Sequence, residues 1–409
     1  MSNDVFSYLK TRSERGEPDL ERSYVQGLET FARRYRRYPY LFRPLEALNA
    51  RTGRPVDILF MGVRFAELIL AVNIKYKVSV VVQGQGDLLW CLRHRLSFLL
   101  AWEWRAELLQ AYRSQRGMDE KVDGVVSSIA ATLQGLNPRA LVLENDSLFL
   151  ERAFVRAARA AAVTSFTIQD GLFMNMAPAH VMHGHSTDYM LVWGDFFKHL
   201  YVDKGILPLE RVEVLGYPHS LPERRSSTKK QNPTVCLLGQ PFETYDETLR
   251  KPRYEMIEHV ATACEAVGLV LVYRPHPAEN RAAVKREFPT LAMTNPSESL
   301  QQTIHDKAIF FSLNSTALVE AALQGKVAVQ VLHKRFVADD FEKLGVCKSI
   351  EDDALVMEAF LREQKADLHA FSVDPAYIDT SRPPGERFCE LLEALAPKTS
   401  PSRAEASKS

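Results

Sequence analysis

Short apolar runs rich in Val, Ile and Leu alternate with amphipathic stretches along most of this chain. The runs at 56–63, 78–84, 140–146, 163–170, 189–194 and 211–218 predict strands in the first half, and those at 234–240, 269–273, 308–312 and 327–332 predict strands in the second. Helical spacing predicts helices at 88–116, 149–162, a stretch ending near Gly268, 315–324 closed by Gly325, and a last one over 388–395. Continuous β-branched runs separated by helices belong to parallel sheets covered on both faces. The expectation is an α/β chain of two doubly wound, Rossmann-like domains facing a central cleft.

A polar, Pro-flanked and aperiodic stretch at 218–233 divides the two series and has the composition of a linker. The domains expected are 1–217 on the acceptor side, 234–396 on the donor side with the final helix, and a disordered tail at 397–409. The 409 residues suit two cores rather than one.

Composition removes several function classes. The 51 basic and 51 acidic residues cancel, so no overall field draws the chain to nucleic acid. The five cysteines form no CxxC pair, which predicts a reduced, cytoplasmic protein without a zinc site. The first residues lack a secretory layout, and no stretch reaches the ~20 apolar residues of a membrane span. The run Ala32-Arg33-Arg34-Tyr35-Arg36-Arg37-Tyr38-Pro39-Tyr40-Leu41-Phe42-Arg43 suits a solvated helix face, an acidic glycan or peripheral contact with the inner membrane.

Chemistry concentrates where three strands end. Gln169-Asp170-Gly171 places a carboxylate at a sheet edge before a turn, where it can serve as a general base or simply as turn chemistry. Arg274-Pro275-His276-Pro277 presents an imidazole between two prolines, which forces the strand to end at Tyr273 or Arg274. Ser312-Leu313-Asn314-Ser315-Thr316 opens a helix with hydroxyls and free N–H groups, a cap composition that also suits an anion, and Glu320 lies one turn on, in reach of ribose hydroxyls. Leu238-Gly239-Gln240-Pro241 offers a small residue where backbone approaches a ligand closely. His180, His183 and His185 match no usual ligand set and are expected to line the acceptor side, as is Gln169. No phosphate loop, G-x-G-x-x-G, nucleophile elbow or H-E-x-x-H motif is present.

Taken in order, Gln169-Asp170-Gly171, Leu237-Leu238-Gly239-Gln240-Pro241, Arg274-Pro275-His276-Pro277 and Ser312 through Thr316 with Glu320-Ala321-Ala322-Leu323-Gln324-Gly325-Lys326 resemble GT-B glycosyltransferases of bacterial surface polysaccharide synthesis. The resemblance is greatest to CMP-sialic acid sialyl- and polysialyltransferases and to capsule Kdo transferases. It implies a GT-B-like fold and a metal-independent transfer, without cofactor, of a sialic acid, Kdo or related sugar from a CMP-activated donor to an oligosaccharide, glycolipid or protein-linked glycan. Asp170 would be the base and His276 would act on the donor phosphate. Gly239, Gln240, Arg274, Pro277, Asn314, Ser315, Thr316 and Glu320 would hold the donor. Gln169 departs from the acidic pair of these enzymes. Alternatives on the same fold are a UDP-sugar or CDP-glycerol transferase, a 2-epimerase, or a non-catalytic assembly component.

Overall fold

The computed structural model describes residues 5–6, 56–114, 116–171, 186–219, 233–244, 247–277, 279–336, 340–343 and 345–397. The basic and aromatic run at 32–43, His180, His183, His185, most of the 218–233 stretch and the tail beyond 397 lie outside them. The chain divides into unit one, drawn from Met1–Asp170, Met176–Ser220 and Asp379–Ser409, and unit two, drawn from Gly171–Asn175 and Leu221–Ile378.

Unit one holds strands β1 (Ile58–Met61), β2 (Val78–Val82), β3 (Ser97–Leu100), β4 (Ala140–Leu143), β5 (Thr164–Ile168), β6 (Tyr189–Val192) and β7 (Val212–Val214). They form one sheet in the order β3-β2-β1-β4-β5-β6-β7, parallel at every pairing. The strict two-residue period sends Ile58 and Phe60 to one face and Leu59 and Met61 to the other. On the first face pack α1 (Ala66–Asn73) and α2 (Gln85–His94). On the second pack α3 (Trp102–Ser114), α4 (Met118–Leu136) and α5 (Phe149–Ala160), with Phe6 wedged beside Tyr112 and Phe149. A further helix, α6 (Asp195–Asp203), follows β6.

Two sequence expectations are corrected here. The single helix expected over 88–116 is broken by β3. Arg95 ends α2 in a left-handed conformation (φ 54), a break the sequence conceals because an arginine rather than a glycine occupies the position. The final helix, expected with the donor domain, instead belongs to unit one.

Unit two holds β8 (Thr234–Leu238), β9 (Val270–Arg274), β10 (Ala292–Met293), β11 (Ile309–Ser312), β12 (Val327–Leu332) and β13 (Lys348–Glu351). Their order is β10-β9-β8-β11-β12-β13, again parallel throughout. Its long helices are α7 (Arg250–Val267), closed by Gly268 at φ +66, and α11 (Ala354–Ala366), capped by the Asp353 carboxylate. Shorter helices α8 (Arg281–Glu287), α9 (Leu300–Asp306) and α10 (Ala317–Leu323) link the strands. Val235, Leu237, Ile309, Phe311 and Val329 bury one face against Met256, Val260 and Leu361.

The chain rejoins unit one at Asp379, whose N–H donates to the Trp193 carbonyl (2.8 Å) and whose carbonyl accepts from Tyr217 N–H (2.9 Å). Gly216, at φ +86, is obligatory there, because a Cβ would stand 2.7 Å from that carbonyl oxygen. The last helix, α12 (Pro384–Leu395), then sets Phe388 and Leu392 into the same core as Phe60 and Phe166. Arg139 ties its end through the Ala396 and Leu392 carbonyls. No described helix is long and apolar enough to cross a membrane.

Candidate active site

In an open parallel sheet the ligand crevice lies at the carboxyl ends of the strands where their order reverses. Unit one reverses between β1 and β4, and three ionisable residues follow neighbouring strands there: Arg64 after β1, Glu144 after β4 and Asp170 after β5. Gly62, at φ +74, turns the chain off β1 so that the Arg64 guanidinium crosses to β5. It donates to the Asp170 carbonyl (3.1 Å) and lies 3.7 Å from the Asp170 carboxylate, whose side chain is 17% exposed.

Glu144 sits between them. Burial pushes its carboxyl from 4.5 up to about 7, with Glu151, Asp170 and Asp87 adding to the rise and Arg64 opposing it. At neutral pH both its protonated and its ionised forms are therefore populated. Behind it, Glu151 is buried and accepts from Gln83 Nε2 (3.0 Å), and Asp87 caps α2 through the Gln83 and Gly84 N–H groups. The edge thus carries one carboxylate beside a guanidinium and one carboxyl poised to gain or lose a proton, the arrangement required for acid–base work.

Gln169 points away from this group. It is 1% exposed, and its Oε1 accepts from Trp193 N–H (3.0 Å) while its carbonyl accepts from Trp193 Nε1 (2.7 Å). Strand alternation explains the split: Asp170 lies at the edge and Gln169 ties β5 to β6.

Unit two reverses between β8 and β11, which places Gly239-Gln240 beside Asn314-Ser315-Thr316. Gln240 Oε1 accepts the Asn314 N–H (2.8 Å), and Ser315 Oγ accepts from Ala317 N–H (3.3 Å) at the start of α10. Arg274 ends β9 and donates to the Glu298 carbonyl (3.1 Å) and Thr303 Oγ1 (2.6 Å). Glu320 accepts from Gln301 Nε2 (2.8 Å). Pro277 and His276 are exposed, yet partial packing of the imidazole lowers its pKa below 6.5, so it is mainly neutral at pH 7. Gly239 also has no room for a side chain, because a Cβ there would run into Glu279 Oε2 and Tyr273 Oη.

Unit one thus brings Asp170 together with Arg64 and Glu144, neither of which sequence reasoning singled out. Their signal was present in the strand ends Met61-Gly62-Val63-Arg64 and Leu143-Glu144, but only strand order makes them neighbours. Unit two brings Gly239, Gln240, Asn314 and Ser315 together, with Arg274, His276 and Pro277 on the adjoining strand end. Among the described residues no group of three or more His, Cys, Asp or Glu side chains is placed to hold a metal ion.

No protein-family model and no curated protein matches the sequence. Solved structures do. MnaA of S. aureus, solved with UDP, superposes with TM-score 0.58 at 14% identity over 83% of this chain and 96% of its own. UDP-GlcNAc 2-epimerase of Methanocaldococcus jannaschii, solved with UDP-GlcNAc and UDP, gives 0.55 at 12% over 82% and 99%. HepE of Anabaena, solved with UDP and glucose, gives 0.54 at 11% over 83% and 100%. These three do not extend the sequence resemblance to sialyl- and Kdo transferases. At such identities the likeness is one of fold, and that fold is GT-B-like, two Rossmann-like units in one chain.

Proposed function

We propose that the chain is a nucleotide-sugar-dependent glycosyltransferase that takes its sugar from a UDP-type donor and passes it to a hydroxyl of a glycan in surface polysaccharide synthesis. The observation that carries the reading is the Arg64–Glu144–Asp170 group at the reversal edge of unit one. In this reading Asp170 takes the proton of the acceptor hydroxyl as its oxygen bonds the anomeric carbon, and the bond from that carbon to the donor phosphate breaks. Arg64 orients Asp170 through its carbonyl and carboxylate. Unit two holds the nucleotide through Gly239, Gln240, Asn314, Ser315 and Thr316, with Glu320 toward the ribose and Arg274 and Pro277 bracing the loop. Neutral His276 donates a hydrogen bond to the departing phosphate.

UDP replaces the CMP expected from the sequence motifs because the similar structures were solved with UDP. A second reading, a 2-epimerase acting on the nucleotide sugar itself, is favoured by the presence of two neighbouring carboxyl groups, Asp170 and Glu144, the second of which exchanges its proton near neutral pH. The test is a thermal-shift panel of UDP, CMP, CDP and GDP, followed by UDP-GlcNAc turnover with and without glycan acceptors. A ligand that binds only the folded state raises its melting point. UDP is expected to give the largest rise, with UDP release that depends on acceptor. A CMP-only rise restores the CMP-sugar reading, acceptor-independent epimerisation selects the second, and no rise with any nucleotide overturns all of them.

A further inference from the structure

The loop between β9 and α8 contains Pro275, His276 and Pro277, and prolines have no N–H. His276 therefore supplies the single backbone donor of the three. Glu279 Oε2 accepts it at 2.5 Å, and Glu279 N–H donates back to the His276 carbonyl at 2.9 Å. One residue thus fixes both backbone polar groups of the histidine.

Glu279 is itself held from three sides. Its side chain is wholly buried, and Oε1 accepts from Tyr273 Oη (2.6 Å) and Arg253 Nη1 (2.7 Å). The Arg253 side chain, 1% exposed on α7, reaches on through Nη2 to Glu243 Oε1 (2.6 Å) in the turn that follows β8. A single guanidinium therefore ties the loops after β8 and β9 together, and Gly239 leaves the space in which Glu279 and Tyr273 meet. Two carboxylates and one guanidinium in a dry site are a poor source of stability, since apolar residues of equal volume usually serve as well. What such a group gives, and apolar packing does not, is direction.

We propose that Glu279, oriented by Arg253, is a positioning residue that sets the His276 backbone and so aims the imidazole at the donor phosphate. This rests on the reading of unit two as the nucleotide-holding unit. Glu279→Gln keeps one acceptor oxygen but turns an N–H2 toward donors, so the His276 loop loses its clasp.

The experiment follows the His276 imidazole by NMR, assigned with His276→Gln, together with UDP affinity by calorimetry, in the wild type and in Glu279→Gln. In the variant the imidazole titration, held low by packing, is expected to move back toward 6.5, and UDP affinity to fall by about tenfold, the scale of one lost hydrogen bond to a charged partner. Glu279→Asp, which retains the charge on a shorter arm, is expected to fall between, and it carries the test if Glu279→Gln does not fold. A folded variant with unchanged His276 titration and unchanged UDP affinity overturns the positioning role. A wild type that does not bind UDP overturns the donor reading instead, and the His276 titration still decides whether Glu279 sets the loop.

Discussion

The carboxyl edges of the two sheets share a topology and differ in how they handle charge. In unit one, Glu144 is held between a guanidinium and other carboxylates without an ion pair of its own among the described residues, and its proton is loosely committed near neutral pH. In unit two, Arg253 lies between Glu243 and Glu279, and those charges are spent inside the fold. The first edge keeps titratable groups in play and the second converts them into rigidity. In the function proposed above, acid–base chemistry uses the former and the holding of an anionic donor the latter.

Breaking the reactive edge has the largest expected effect. Asp170→Asn should lower turnover of the cognate nucleotide sugar by about 10²- to 10⁴-fold, the usual worth of a general base, while circular dichroism stays unchanged. Turnover within twofold of the wild type would remove Asp170 from the chemistry.

The rigid edge is broken by Gly239→Ala, whose methyl group has no room beside Glu279 and Tyr273. Overpacking of this kind should cost about 3 kcal/mol in urea unfolding. Nucleotide affinity should fall with it. A neutral result would mean that the two side chains swing aside freely.

Glu144→Gln sharpens the contrast through pH. The folded protein keeps Glu144 protonated to about 7, whereas the unfolded chain releases that proton near 4.5. Stability therefore falls as pH rises through that window. Glutamine cannot ionise, so the variant should match the wild type below 4.5 and gain by up to about 3 kcal/mol above 7, which the change in pKa corresponds to. Melting temperatures across pH check this, and parallel curves would contradict the buried-carboxyl account.

The smallest effect is expected from Gln169→Glu, which restores an acidic pair. Because Gln169 is buried against Trp193, a carboxylate there should cost about 2 kcal/mol and add no turnover. A gain in rate would show that the side chain reaches the edge.

Much of this architecture was legible because strands buried on both faces write themselves as unbroken apolar runs, as 140–143 and 308–312 do. Short or polar edge strands do not. β3 offers only Ser97-Phe98-Leu99-Leu100 behind an arginine turn, β10 spans only Ala292–Met293 and β13 opens with Lys348-Ser349, so none of these was foreseen, whereas the apolar edge strand β7 was. The same limit applies to the sites. Asp170 and His276 stand in recognisable local motifs, whereas Arg64 and Glu144 lie 80 positions apart and Arg253 and Glu279 lie 26 apart. Those pairs are created by strand order and by helix packing, which local pattern does not encode.

The return of the chain at Asp379 has a consequence for biogenesis. A ribosome releases all of unit two before it releases α12, so the sheet synthesised first waits, with the part of its Phe60 and Phe166 face that α12 covers still open, until Phe388 emerges. A nonsense codon near the 3′ end of the message would thus strike the half of the molecule that was translated earliest.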